Sequence, residues 1–172
     1  WVCDSEEIVN TEEQDRYYRN SEKYLKEGRF GSEYVGFIGL PDWKEMKWLI
    51  DIYSESYTLE ISKDGVDIYT LDSFDINDKK GMVDEWLART LAEQEFRKYL
   101  NEGYKRNSLE IKKIESSGYK GMQIKIKETS GKIIIKNIFV IGNKVYHANA
   151  EGLSKNINEM EKIILNSWNP IK

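Results

Sequence analysis

Four strand-like segments lie close together between residues 109 and 150, and they constrain the fold of this chain more than any other feature. They cover residues 109–115, 122–127, 133–141 and 145–150, and short turns containing glycine join them. In the second segment, apolar Met122, Ile124 and Ile126 alternate with polar residues, as in a half-buried strand. Strands joined by such short turns pair in antiparallel fashion, because a parallel crossover needs a dozen or more residues. The third segment is longer and more apolar, which predicts a central position in the sheet.

The remaining elements add a further hairpin and two helices. A Lys-Asp-Gly turn ending at Gly65 separates predicted strands at 57–62 and 66–71. Residues 82–101 contain no proline or glycine, and their wide apolar face predicts a long helix that ends at Gly103. A closing helix is predicted at 155–168, with Asn156 and Glu159 as a capping pair. The sequence therefore predicts an α+β fold in which helices sandwich an antiparallel β-sheet.

The first 40 residues divide into two parts. Six acidic residues and no basic one lie between Asp4 and Asp15, and Thr11 is a candidate cap for a helix that ends near Gly28. Residues 30–40 resemble one strand, which Pro41 ends because proline cannot donate to a β-ladder. We therefore expect an acidic N-terminal arm or tether with helical potential at 1–29, followed by a single domain at 30–172.

Bulk composition narrows the class of partner. The formal net charge is −4, which argues against nucleic acid as the main partner because phosphate neutralisation needs a basic surface. Cys3 is the single cysteine, so it forms no intramolecular disulfide and no zinc site built on cysteines. The apolar runs are shorter than the ~18 residues that span a bilayer. The chain begins at Trp1 instead of methionine, and we expect a processed or excised form with any signal peptide outside this sequence.

The sequence offers little support for an enzyme. His147 is the only histidine, and no serine nucleophile motif accompanies it, so we interpret it as a structural or surface residue. The alternative is an enzyme that uses carboxylates, for example Glu85 or Asp75 with tyrosine partners, because paired carboxylates can hydrolyse glycosides without histidine. We expect no catalytic residue, no metal and no cofactor.

An oxygen-rich segment precedes the long helix. It contains Asp72, Asp75, Asn77 and Asp78, residue types that bind calcium, but it lacks the spacing and the distal glutamate of an EF-hand. We interpret it as a solvated loop whose Asp or Asn side chains cap the next helix.

Tryptophans are the best candidates for a binding surface. Trp43 and Trp48 flank the loop at Pro41, and we predict that they contact a ligand or partner. Trp86 and Trp168 lie on predicted helix faces and are expected in the core.

Cys3 has two interpretations. It is either an incidental thiol or the lipid attachment site of a bacterial lipoprotein with a polar acidic tether after it. Val2 fits the second interpretation poorly, because lipoprotein signals usually place a small residue before the cysteine.

Several turns resemble a known superfamily. The order of elements, the Leu40-Pro41-Asp-Trp43 segment, Tyr119-Lys-Gly121, the Gly142-Asn-Lys-Val-Tyr146 turn and the final Ser167-Trp168 are similar to features of the PsbP/MOG1/DcrB-like superfamily. The resemblance covers roughly residues 30–170 and implies an α/β/α sandwich with mostly non-enzymatic binding, assembly or accessory roles. Its bacterial members are often secreted or lipid-anchored, and it transfers no catalytic residue.

We therefore expect a non-enzymatic, extracytoplasmic binding or accessory module that contacts another envelope protein. Its contact with membrane is expected only through a lipid on Cys3. The alternative is a soluble interaction protein of the immunity or inhibitor type in the cytoplasm, whose acidic surface and exposed aromatic residues would cap a partner.

Overall fold

The fold is known from a computed structural model. It describes residues 22–31, 35–53 and 56–170; for Trp43, 48–53 and 56–57 it describes the backbone alone.

The described chain contains ten strands and two long helices, in addition to a short helical segment at 22–26. The strands are β1 (Arg29–Gly31), β2 (Gly36–Ile38), β3 (Lys47–Tyr53), β4 (Ser56–Ser62), β5 (Ile68–Asp75), β6 (Leu109–Ser116), β7 (Tyr119–Lys127), β8 (Lys132–Ile141), β9 (Lys144–Leu153) and β10 (Trp168–Asn169). The helices are α1 (Asp84–Asn101) and α2 (Ile157–Ser167). Single 3-10 turns lie at Trp43–Glu45 and Arg106–Ser108.

Seven strands form the main sheet in the order β3-β4-β5-β9-β8-β7-β6, and every neighbouring pair is antiparallel. A second antiparallel sheet contains β1, β2 and β10 in that order. The predicted α+β class and antiparallel pairing are confirmed. The predicted central strand is also confirmed, because β8 lies between β7 and β9.

The alternation of side chains along β8 explains its central place. Ile135 and Phe139 pack in one hydrophobic cluster, whereas Ile138 and Val140 pack in another. Successive strand residues point to opposite faces, so β8 contributes apolar side chains to both. Helix α1 packs against β7 and β8 and less against β6, and α2 packs against β9.

The predicted strand at 30–40 is wrong in one respect, because two short strands occupy that range. In the register of β1 and β2, Gly31 lies opposite Gly36. Gly31 has a φ of +135°, and a Cβ on Gly36 would lie 2.5 Å from the Phe30 carbonyl oxygen. The strands approach closely because both positions lack a side chain.

The described residues end in an element that the sequence did not predict. After α2, Trp168 and Asn169 leave the helix as β10 and pair with Phe37 and Gly36 of β2. Trp168 is 2% exposed and stacks on Phe139 with ring centroids 4.5 Å apart. Its predicted place in the core is confirmed.

Helix ends agree with the sequence at one place and differ at another. Gly103 adopts a φ of +99° just beyond α1, as expected of a helix stop. Asn156 makes no side-chain capping hydrogen bond with α2; its Nδ2 donates instead to Asp67 Oδ2 at 2.8 Å. The predicted capping pair is therefore wrong, whereas the predicted cap at Thr11 lies outside the described residues.

No helix among the described residues is long and apolar enough to cross a bilayer.

Candidate functional site: a basic groove

A groove of about 460 Å³ runs between α1 and the strands β6 and β7. We call it the basic groove, and its lining residues are Arg89, Glu93, Phe96, Arg97, Leu100, Arg106, Ile111, Lys112, Lys113 and Met122. Five of them are cationic and one is acidic, although the whole chain is acidic. The groove therefore concentrates positive charge around an apolar floor.

The sequence of α1 explains one wall. Arg89, Glu93 and Arg97 are spaced four residues apart, so they share one flank of the helix. Phe96 belongs to the buried side of the helix, and partly buried Leu100 lies next to it, toward this flank.

The second wall comes from the end of the main sheet. Ile111 and Lys113 are two residues apart on β6, and Lys113 lies opposite Met122 of β7 in the strand register. Side chains two residues apart on a strand share a face, so Ile111 and Lys113 face the helix together.

Arginines at the rim contact aromatic rings. The guanidinium carbon of Arg106 lies 5.2 Å from the centre of the Phe96 ring, and that of Arg89 lies 5.4 Å from the Trp86 ring. Arg89 Nε also contacts Glu93 Oε1 at 3.1 Å. Guanidinium groups on aromatic faces can still present planar donors to a carboxylate.

The predicted position of Trp86 in the core is wrong, because this residue is 59% exposed. The core side of α1 is formed by Ala88, Ala92 and Phe96, and Trp86 lies about 160° around the helix from Ala88. Met82 and Val83 are also exposed, so an apolar surface continues past the groove at the start of α1.

A second polar cluster lies on the other flank of α1. Lys136 Nζ donates to Glu95 Oε1 at 2.9 Å and lies 5.0 Å from the centre of the Tyr99 ring. Burial raises the pKa of the Glu95 carboxyl, but the hydrogen bond and charge of Lys136 outweigh it and leave that pKa below its ordinary value. For Lys136 the two effects have the opposite signs. Burial lowers the pKa of its ammonium group, but hydrogen bonds with Tyr99 and Glu95 outweigh burial and leave that pKa above its ordinary value.

His147 borders this second cluster. Its Nδ1 is 3.9 Å from Asp72 Oδ2, which is too long for a hydrogen bond, and its ring packs edge-on against Phe74. Burial lowers the pKa of His147, and Lys136 adds to this effect while Asp72 and Glu95 oppose it. Asp72 therefore does not orient the imidazole of His147 as a carboxylate does in a catalytic triad.

The other predicted chemical residues are separated by the fold. Asp75 contacts Lys144 Nζ at 2.5 Å, Asp78 accepts a 2.8 Å hydrogen bond from the amide of Lys80, and Glu85 is exposed in the first turn of α1. Within the ranges that the structure describes, no three His, Cys, Asp or Glu side chains are grouped to hold a metal ion.

The predicted binding and anchoring residues are not tested by this geometry. Cys3 lies outside the described residues. Trp43 begins a 3-10 turn, and Trp48 lies opposite Ile61 in the register of β3 and β4. Their roles stay predictions.

The basic groove was not predicted from the sequence. Its signals were the spacing of Arg89, Glu93 and Arg97 and the adjacent Lys112 and Lys113. They become one site only when the fold brings α1 against β6.

Comparison with known proteins identifies no family. No protein-family model matches the chain, and no curated protein matches it. A crystal structure of a protein from Bacteroides thetaiotaomicron VPI-5482, at 1.50 Å resolution, is similar over 81% of this chain and 46% of its own length. This chain therefore spans less than half of that protein. The sequence identity is 11% and the TM-score is 0.41.

Proposed function

We propose that this protein is a non-enzymatic binding or accessory module whose basic groove receives an anionic, partly apolar segment of another protein. The observation that supports this proposal is the placement of four cationic side chains, those of Arg89, Arg97, Arg106 and Lys113, around an apolar floor. Carboxylates would pair with the arginines, while an aliphatic side chain would cover Phe96, Leu100 and Ile111.

A protein partner fits the groove better than nucleic acid. A nucleic acid presents a continuous row of phosphates, and the net charge of −4 would repel it outside the groove. The exposed Trp86 beside Arg89 is a residue combination enriched at the centres of protein interfaces.

We further propose that the protein acts outside the cytoplasm on another envelope protein and is lipid-anchored through Cys3. The resemblance to the PsbP/MOG1/DcrB-like superfamily supports this proposal, as does the α/β/α sandwich that the superfamily implies. The packing of α1 and α2 against different strands supports that finer fold. Trp43 and Trp48 would extend the contact with the partner. The alternative is a soluble immunity or inhibitor-type protein that uses the same groove in the cytoplasm.

A short peptide tests the groove directly. The probe is Thr-Asp-Thr-Leu-Thr-Glu-Thr, acetylated, amidated and labelled with fluorescein, and binding is followed by fluorescence anisotropy. We expect saturable binding that weakens with salt, and we expect Arg97→Glu to weaken it by about tenfold, equivalent to ~1.4 kcal/mol. The matched control is Lys98→Glu, because Lys98 is also exposed but lies about 100° further around α1.

Two further probes define the ligand class. A peptide with lysines in place of Asp and Glu should not bind, and a twelve-nucleotide single-stranded DNA should bind less tightly than the acidic peptide. Equal effects of the Arg97 and Lys98 substitutions would contradict the groove. Tighter binding of the DNA would assign the groove to nucleic acid.

Intact mass and membrane fractionation of the native protein test the location. A mass excess of a diacylglyceryl group on Cys3, with the protein in the membrane fraction, is expected of an anchored envelope protein. An unmodified protein in the soluble cytoplasmic fraction would refute the anchor and favour the immunity or inhibitor alternative.

A further inference from the structure

Strand β6 forms one edge of the main sheet. All eight of its residues pair with β7, from Leu109 opposite Ile126 to Ser116 opposite Tyr119. It is the last strand in the sheet order, and the described chain places no strand beyond it. In an antiparallel pair, about half of the N–H and C=O groups of an edge strand point away from its partner. The outer side of β6 therefore presents a template for another strand.

The basic groove adjoins this edge. Ile111 and Lys113 contribute to it from β6, and Arg89 and Arg97 contribute from α1. Because α1 packs over β7 and β8 and less over β6, the flank that carries Arg89 and Arg97 is the side of the helix that faces this free edge. One continuous surface thus combines backbone donors and acceptors, an apolar floor and cationic side chains.

We propose that an extended acidic segment of a partner protein pairs with β6 as an eighth strand and places alternate side chains in the basic groove. This inference rests on the proposed function and adds its binding mode. Strand addition gives affinity through main-chain hydrogen bonds, and the pockets beside the edge select every second side chain. The selected side chains are acidic residues on both sides of one aliphatic residue.

The charged side chains of β6 determine which kind of strand can pair with this edge. Lys112 and Lys113 lie at the middle of β6, and Lys112 is exposed except for a 3.7 Å contact with Glu161. Lysines on an edge strand oppose pairing with a like edge, because the two charges would face each other. Glu110 and Glu115 flank the two lysines on β6. The lysines therefore attract a strand that carries carboxylates at its middle, and they disfavour the symmetric pairing with a second copy in which Lys112 and Lys113 would face each other.

Backbone methylation of the peptide probe separates strand addition from simple charge attraction. One probe carries N-methyl groups on Asp, Leu and Glu, and the other carries them on the three threonines between and after these residues. In a strand, these two sets of amides point in opposite directions. We expect one methylated peptide to bind at least about tenfold more weakly and the other to stay within about twofold of the parent.

Amide hydrogen exchange measured by NMR gives an independent readout on the unmodified protein. The outward amides of β6 should exchange rapidly in the free protein and become protected when the parent peptide binds. Protection should therefore increase at alternate residues of 109–116 and not at their neighbours. The Lys98→Glu variant should show the same alternation, which excludes a nonspecific effect of charge.

The possible results distinguish this inference from the proposed function. Binding that depends on Arg97 but responds equally to both methylation patterns would overturn strand addition and keep the groove as an anion site. No binding by any acidic peptide would overturn both. A dimer that forms without peptide, and that protects the same amides of β6, would overturn the acidic partner and assign the edge to a second copy.

Discussion

Trp168 Nε1 donates a 2.8 Å hydrogen bond to Ser116 Oγ, so the last strand of the fold is joined to the end of β6. Ser116 Oγ in turn donates to the carbonyl oxygen of Leu165 at 2.5 Å. Both Trp168 and Ser116 are buried. One hydroxyl group therefore satisfies a buried indole donor and a carbonyl at the end of α2, and it connects α2 to the edge of the main sheet.

Removing the hydroxyl group of Ser116 should destabilise the fold. Ser116→Ala leaves the indole N–H and the Leu165 carbonyl without their partner, so we expect a loss of about 1–3 kcal/mol in the free energy of unfolding. Urea denaturation measures it, and exposed Ser154→Ala should change the same quantity by less than about 0.5 kcal/mol. Equal stabilities of the two variants would show that the hydrogen bond contributes nothing.

A methyl group at Gly121 should destabilise the sheet more than one at Gly152. A Cβ on Gly121 would lie 2.4 Å from the Ile138 carbonyl oxygen and 2.6 Å from the Phe139 ring, neither of which can move freely. A Cβ on Gly152 would meet Asp67 Oδ1 and Met160 Sδ, which end flexible side chains. Thermal unfolding should show a loss of about 1–3 kcal/mol or more for Gly121→Ala and a smaller loss for Gly152→Ala. The reverse order would contradict the packing around β7 and β8.

Trp86 should be dispensable for folding. Because it is 59% exposed, Trp86→Ala is expected to change the free energy of unfolding by less than about 0.5 kcal/mol. Trp168→Ala, at a buried position, should cost about 3–5 kcal/mol in the same denaturation experiment. A large loss with Trp86→Ala would place this ring in the core after all.

Acid should weaken the fold through His147. Its folded pKa lies below the ordinary 6.5, so the unfolded chain takes up the proton first and stability is lost as pH falls from 6.5 through the folded pKa. His147→Gln should remove this component and flatten the stability profile between about pH 7 and about pH 5. An NMR titration of the single imidazole locates the midpoint. A midpoint above 6.5 would reverse the expected sign.

Trp43 and Trp48 are predicted to bind a partner instead of supporting the core. Trp43→Ala and Trp48→Ala should then retain cooperative thermal unfolding close to that of the parent protein. The partner, once isolated, should bind each variant less tightly. Loss of cooperative melting in either variant would assign that ring to the core.

Local sequence patterns were sufficient to predict the elements whose formation depends on residues close together in the sequence. The apolar length of β8 and the glycine beyond α1 predicted a central strand and a helix stop. The pair β1 and β2 was missed because its register depends on a close approach of Gly31 and Gly36, which sequence spacing does not show. Trp86 was misplaced because α1 buries only small Ala88 and Ala92 near its start.

The groove illustrates a second reason why sequence alone was insufficient. Arg97 and Lys113 come from different elements, and only the packing of α1 on the sheet makes them neighbours of one cavity. Charge runs in sequence usually indicate a solvated surface. Whether such a surface is a site depends on the tertiary fold.

The three-stranded sheet has a mechanical consequence. Strands β1 and β10 come from opposite ends of the described chain, and both pair with β2. Tension applied between the two ends would pass from β1 through the few hydrogen bonds of β2 to β10. The small sheet would then act as a force-bearing clasp, and the side chain of Trp168 would be the route by which load reaches the seven-stranded sheet.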